Sequence, residues 1–404
     1  MHSGYPQQSH HPISFPAPVT GKTAPLQAPS AAELRAPFEQ GRPTTFGAEE
    51  EAMVLDPASL DLAPRAAELC DGETLKLELP ASQLEIAGAP AASLAELGRE
   101  IRAGRRRAAR AASGRVLLAS AGVHPFASAA GALNGGERYE RLANRYGAVA
   151  QHQLVCALHV HVALEGADRA LAVYNAMRSY LPLLAALAAD APVHLGRDTG
   201  LASVRPLISA MLPRQGVPPA LSGWDQLAGG LDWLGRSGRI SALGEWWWEL
   251  RLHPLFGTIE IRVADAQPRA ADAEAIAAFA AGLVLWLSAR HDGGDLPAPA
   301  PSWQIAENRF SAARHGLAGE MIDLESGAAF ATAEHANRLL AQIEPYAIEH
   351  DGAEALARAR ELLAGGGGAA ILRNVFLAGG AEALARHLAD CLSDGCEDVP
   401  GAPC

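Results

Sequence analysis

Four short stretches place charged, amide or imidazole side chains two residues apart: Glu49 and Glu51 in GAEEEAMVL, Gln83 and Glu85 in SQLEI, His159 and His161 in LHVHVAL, and Glu260 and Arg262 in GTIEIRVAD. Carboxylates and imidazoles gathered in one place can hold a divalent cation. Abundant carboxylate without a thiolate cluster favours Mg²⁺ or Mn²⁺ over structural zinc. Several such cations with an arginine beside them would suit a bound polyphosphate. Taken singly, each motif reads more simply as the wet face of a half-exposed strand, because alternation is ordinary there. Four together change that balance, since like charges on one face resist ionising unless cations neutralise them.

The spacing of two calls for strands, in which residues i and i+2 point the same way. Leu84 and Ile86, then Leu158, Val160 and Val162, then Ile259, Ile261 and Val263 would hold the opposite face against a core, and Glu50 would point away from Glu49 and Glu51. Further strands are expected at Leu75–Leu79, Val116–Ala121 and Trp246–Leu252. Helices are expected at Ala91–Ala112, Ala170–Ala189 (kinked or restarted at Leu181-Pro182), Ala271–Arg290, Ala333–Ile343, Ala353–Ala364 and Ala381–Leu392. Strands and long helices do not alternate strictly, so the class is α+β, a mixed or antiparallel sheet with helices grouped around it. Residues 1–44 carry Pro, Gln, His and Ser without apolar periodicity and read as a disordered tail, followed by one domain over 45–392 and a short C-terminal tail over 393–404.

The 404 residues are 49% hydrophobic and 19% charged, enough to bury a sizeable core. Thirty-three Lys and Arg against forty-five Asp and Glu give a net charge of −12, which argues against nucleic acid as a partner. The five cysteines are scattered without paired spacing, so neither a disulfide framework nor a zinc ribbon is expected. The opening MHSGYPQQSHHPIS lacks the features of a secretory signal, which makes the cytoplasm the expected compartment. The most apolar run, Ile276–Ala289, is shorter than the roughly 20 residues that span a bilayer, and no membrane segment is expected.

In this order, FGAEEEAMVLD, SQLEIAG, LHVHVAL, GRDTGLASVRPLISAMLPR, RLHPLFGTIEIRVADAQP and ENRFSAARHG closely resemble the carboxylate–amine ligases called glutamate–cysteine ligase type 2, over roughly Thr45 to Leu392. The resemblance implies a glutamine synthetase-like catalytic domain: a curved, largely antiparallel sheet with helices on its convex face, and nucleotide and metals in its hollow. It implies Glu49, Glu51, Glu85, His159 and Glu260 as Mg²⁺ ligands, with His159 also near the nucleotide phosphates and His161 less defined. Arg262, with Glu260, is implied at the transferring phosphoryl group. The reaction implied is ATP-dependent: an acyl phosphate forms on a carboxylate, such as the γ-carboxylate of L-glutamate, and an amine, such as L-cysteine, displaces phosphate. Small-molecule substrates would then be the partners, and glutamate–cysteine ligase activity could be weak. A homo-oligomer is left open. The residues alone leave open a metal-dependent hydrolase or a non-catalytic nucleotide-binding regulator on the same scaffold.

Other residues carry weaker signals. Arg197, Arg205 and Arg314 are candidates to hold a substrate carboxylate and Arg309 to hold nucleotide, with ordinary salt bridges an equal reading for each. Arg102, Arg105, Arg106, Arg107 and Arg110 read as the solvated face of a helix. One of Trp246, Trp247 and Trp248 should be core and another could face the cleft. The stretch Ala189–His194 departs from the family pattern, and if it lines the acceptor pocket the substrates would differ from Glu and Cys.

Overall fold

The computed structural model describes residues 27–240 and 243–393. The alternating segments form an antiparallel sheet from β1 (Phe46–Leu55), β2 (Leu75–Leu77), β3 (Gln83–Ala87), β4 (Leu117–Ala119) and β5 (Ala157–Ala163). After a separate two-stranded hairpin, β6 (Val193–His194) and β7 (Arg197–Asp198), the sheet is completed by β8 (Leu250–His253) and β9 (Thr258–Asp265). The seven strands run in the order β2-β3-β1-β5-β9-β8, with β4 paired to the end of β1.

One face of this sheet is covered by helices. Ala48, Leu158, Val160, Val162, Ile259, Ile261 and Val263 join a single core with Leu97 and Ile101 of the helix Leu94–Ala112 and Ile276, Phe279 and Leu283 of the helix Ala270–Asp292. The latter is long and apolar enough to cross a membrane by length and composition. Yet 72% of its apolar window is buried in the protein, as expected of a core helix. The other face stays polar along β5 and β9, while its far end at Met53 and Leu55 is capped by Leu372, Leu384 and Leu388 near the C-terminus.

Several expectations change. The ordered chain starts well before Thr45: Ser30 accepts from the Glu33 N–H and Glu33 answers the Ser30 backbone, a reciprocal cap that opens the helix Ala31–Arg35. Leu34 and Phe38 are each only 1% exposed, so this segment is part of the core. Short apolar anchors among prolines carry too little periodicity to be read as structure. Residues 1–26 and 394–404, the rest of both expected tails, lie outside the described residues. Trp246–Trp248 precede β8 and are not in it; Trp247 stacks edge-on with Tyr146 and under Arg214. Arg105 is no solvated arginine. It is 1% exposed and pairs with Glu50 through two bonds of 2.6 and 3.1 Å, while also donating to the Gln267 and Pro268 carbonyls. At Leu181-Pro182 the chain starts a new helix, Leu181–Leu187. Helices Glu137–Tyr146, Trp224–Arg236 and Ser302–His315 had not been anticipated.

Candidate active site

Strand register decides which of the spaced motifs meet. Glu49 of β1 stands opposite His159 of β5, Glu51 opposite Glu85 of β3, and His161 opposite Glu260 of β9, so all these side chains share the uncovered face. Glu49 Oε2 lies 3.4 Å from His159 Nδ1 and 3.7 Å from His161 Nε2, and Glu51 Oε1 lies 3.8 Å from His159 Nε2. Glu49, His159 and Glu260 each offer a ligand atom within 4.8 Å of the others. Glu51 adjoins this set, and Glu85 lies one strand further out, paired with Lys76 at 3.0 Å. His161 turns Nδ1 to Thr258 Oγ1 at 3.1 Å and leaves its buried Nε2 without a hydrogen-bond partner.

Arg262 joins this floor. Its Nη1 donates to Glu260 Oε1 at 2.6 Å and lies 3.3 Å from His159 Nδ1. The other Glu260 oxygen is taken by Nε of Arg251, which stands opposite Glu260 on β8. Arg251 was missed in the sequence because nothing in RLHPLF signals which strand lies next to which.

The carboxylates of this face differ in how far their charge is compensated. Burial alone would raise the Glu49 carboxyl, but the hydrogen bond with His159 and the close approach of the His161 imidazole hold it far below the usual range. Burial likewise opposes ionisation of Glu260, and the charges of Arg251 and Arg262 overcome it. Glu51 is not so compensated: its burial raises its pKa. Glu78, on the segment after β2, is pushed up strongly by burial and by the nearby charges of Glu51 and Glu85. Cys156, one residue before β5, is buried with its thiol pushed up, so it stays a neutral neighbour. The donor set is therefore carboxylate with imidazole, suited to Mg²⁺ or Mn²⁺, and a bound cation would relieve the carboxylates that burial now disfavours.

A cavity of about 480 Å³ opens beside this floor and is lined by Glu51, His159, Arg262, Arg205, Glu249 and Trp247, among others. Arg138 and Arg141 of the unanticipated helix Glu137–Tyr146 also line it. Of the expected arginines, Arg205 reaches the cavity wall. Arg309 does not line the cavity and is bound to Glu249, which does, by contacts of 2.8 to 3.0 Å. Arg197 lies exposed on the β6–β7 hairpin and Arg314 donates to the Gly200 carbonyl; neither lines the cavity. The same holds for Ala189–His194.

The comparison with known proteins bears on the family. Residues 45–384 match the family described as Glutamate-cysteine ligase family 2 (GCS2). The chain belongs to glutamate–cysteine ligase family 2. It is a carboxylate–amine ligase. Over 322 residues it is 37% identical to the "Putative glutamate–cysteine ligase 2-3" of Rubrobacter xylanophilus, covering 77% of this chain and 86% of that one. Over 288 residues it is 38% identical to the "Putative glutamate–cysteine ligase 2" of Pseudomonas paraeruginosa, covering 69% and 75%. The fold matches the glutamate–cysteine ligase of Francisella tularensis in complex with AMP, with a TM-score of 0.67 at 14% identity over 89% of this chain and 90% of that one. It also matches a bifunctional glutathione synthetase from Pasteurella multocida, with a TM-score of 0.61 at 16% identity, over 90% of this chain and 54% of that one. The glutamine synthetase-like architecture expected from the family 2 motifs is the one found.

Proposed function

We propose that the chain is an ATP- and Mg²⁺-dependent ligase that joins the γ-carboxylate of L-glutamate to the amine of L-cysteine, releasing ADP and phosphate. The observation that carries this reading is the convergence of Glu49, His159 and Glu260 within 4.8 Å, with Arg262 hydrogen-bonded to Glu260 at 2.6 Å. The substrate pair is taken from the names of the relatives, and nucleotide use is supported by the AMP in the Francisella tularensis structure. The hydrolase alternative gives Arg262 and the neighbouring arginines no comparable task.

Glu49, His159 and Glu260, with Glu51 and Glu85 adjoining, would hold Mg²⁺, which supplies charge neutralisation for the phosphates when bound. The reaction needs two displacements. A carboxylate oxygen bonds to the γ-phosphorus as the bond to ADP breaks; the amine nitrogen then bonds to the acyl carbon as the acyl–oxygen bond to phosphate breaks and the nitrogen loses a proton. Charge builds on the transferring phosphoryl oxygens in the first step. Arg262, at the cavity wall and fixed by Glu260, would stabilise that charge. The cavity of about 480 Å³ has room for amino-acid-sized reactants beside the floor.

Purified protein with Mg-ATP, L-glutamate and L-cysteine, followed by pairwise combinations of amino acids and amines, should release ADP and phosphate together with a product of the dipeptide mass. Release of AMP and pyrophosphate would point to an adenylating enzyme instead, and amide formation without ATP would end the ligase reading.

A further inference from the structure

Strand β9 carries a bulge. Leu158 pairs with Ala264 and Val160 with Ile261, so His159 alone faces both Arg262 and Val263. A bulge disrupts the local ladder and re-aims the side chains beside it. Here one side chain takes up both bulge carbonyls: Arg205 donates from Nη2 to Arg262 O at 3.1 Å and from Nη1 to Val263 O at 3.2 Å. Nη1 also reaches Asp265 Oδ1 at 3.5 Å. Asp265 is itself held, because its Oδ2 accepts from the Asp190 backbone N–H at 2.8 Å. Gly122 lies so close to the Asp265 carboxyl that a Cβ there would collide with it at 2.8 Å. Arg205 is 8% exposed and Asp265 3%.

We propose that Arg205 and Asp265 are positioning residues, a clamp on the β9 bulge that aims the Arg262 guanidinium. This rests on the ligase reading above and replaces the expectation that Arg205 holds a substrate carboxylate. An arginine reserved for substrate would keep its donors turned to the cavity. Arg205 commits three of its N–H groups to the strand and to Asp265, and its Nε is buried without a partner. The carbonyl that Nη2 holds belongs to Arg262 itself, whose side chain then needs a fixed starting point to reach Glu260 at 2.6 Å and His159 at 3.3 Å. The clamp also gives the stretch Ala189–His194 a route to the site: it does not line the cavity, but the Asp190 backbone N–H donates to the Asp265 carboxylate.

The test compares Arg205→Ala, Arg205→Lys, Asp265→Ala and Asp265→Asn with the unaltered full chain. Steady-state ADP release is measured with Mg-ATP, L-glutamate and L-cysteine, and hydrogen–deuterium exchange is read by mass spectrometry. Misplacing a reacting group by about 1 Å can cost about 10²-fold, so Arg205→Ala and Asp265→Ala should lower kcat by about that factor. The KM for L-glutamate should stay within about threefold, because binding contacts are untouched. Peptides covering 258–265 should exchange faster in both variants, and those covering β1 should not. Asp265→Asn keeps one acceptor and should fall between Asp265→Ala and the unaltered chain. If an alanine variant does not fold, Arg205→Lys and Asp265→Asn carry the same two readouts. A rise of more than about tenfold in the L-glutamate KM with kcat retained would make Arg205 a substrate contact and overturn the clamp. Unchanged exchange over 258–265 would overturn it as well. If the unaltered chain forms no ADP with these substrates, the substrate assignment fails by itself, and the exchange pattern still decides the clamp.

Discussion

Glu49 and His159 face each other across neighbouring strands β1 and β5, with 3.4 Å between Oε2 and Nδ1. The pair links one E-x-E motif to one H-x-H motif that lie far apart in the chain. It brings an acid that stays ionised to the edge of the Glu260–Arg262 pair. Whatever binds at this floor meets both residues at once.

Replacing either outer carboxylate of this set should therefore remove activity without removing the fold. Glu49→Gln and Glu260→Ala are expected to lower ADP formation by about 10²-fold or more, in line with the loss of a group that organises transition-state charge. A thermal-shift titration checks the cause. Mn²⁺ or Mg²⁺ should raise the melting temperature of the unaltered protein, since a ligand at about 100 times its Kd adds about 2.7 kcal/mol. In Glu49→Gln that rise should be lost, and a full rise there would take Glu49 out of the ligand set.

Behind β1, the Glu50–Arg105 pair is 5% and 1% exposed. Leaving one partner of such a pair alone costs about 3–5 kcal/mol, whereas exchanging both for apolar residues of similar volume is often neutral. Glu50→Ala should thus lower stability in urea by about that amount, and Glu50→Leu with Arg105→Met should regain most of it. The double variant failing as badly as the single one would mean that the Arg105 bonds to the Gln267 and Pro268 carbonyls matter more than the ion pair.

The early helix braces the β8–β9 hairpin. Phe38 packs on Trp224 with ring centroids 5.3 Å apart, its carbonyl accepts from Gly166, and Pro37 leaves no room for any side chain at Gly257. Truncating a buried phenylalanine typically costs about 3–5 kcal/mol. Phe38→Ala should lower stability by that order, and deletion of residues 1–40 should lower the melting temperature markedly. An unchanged melting temperature after that deletion would show that the segment adds nothing to the domain.

Glu274 supplies a pH signature distant from the site. Burial pushes its carboxyl up to about 7, although Arg102 lies 2.6 Å away. The unfolded chain loses this proton near 4.5. Between those two values the folded state keeps a proton that the unfolded state has released, so this group makes stability fall as pH rises through that window. Glu274→Gln should flatten that fall. Urea titrations at about pH 5 and about pH 8 measure it: the variant should gain on the unaltered protein at the higher pH, and an equal difference at both would refute the shift.

The order and type of the residues on the uncovered sheet face could be read directly from the chain. A period of two assigns Glu49, Glu51, Glu85, His159, His161, Glu260 and Arg262 to polar strand faces, and it sends Glu50 the other way, because side-chain direction in a strand is a local property. Neighbours across strands are not local. Arg251 opposite Glu260, Glu249 on Arg309 and Arg105 under Glu50 join residues that only the folded register brings together, and their local sequences are those of ordinary strands and helices. Asp265 shows the limit most clearly. Counting by twos from Glu260 and Arg262 puts it on the opposite face, yet the one-residue bulge at Arg262 and Val263 shifts the pairing so that Asp265 stands across from Ala157, on the His159 side, where Arg205 reaches it. Alternation is a property of each strand alone, while a bulge exists only between two.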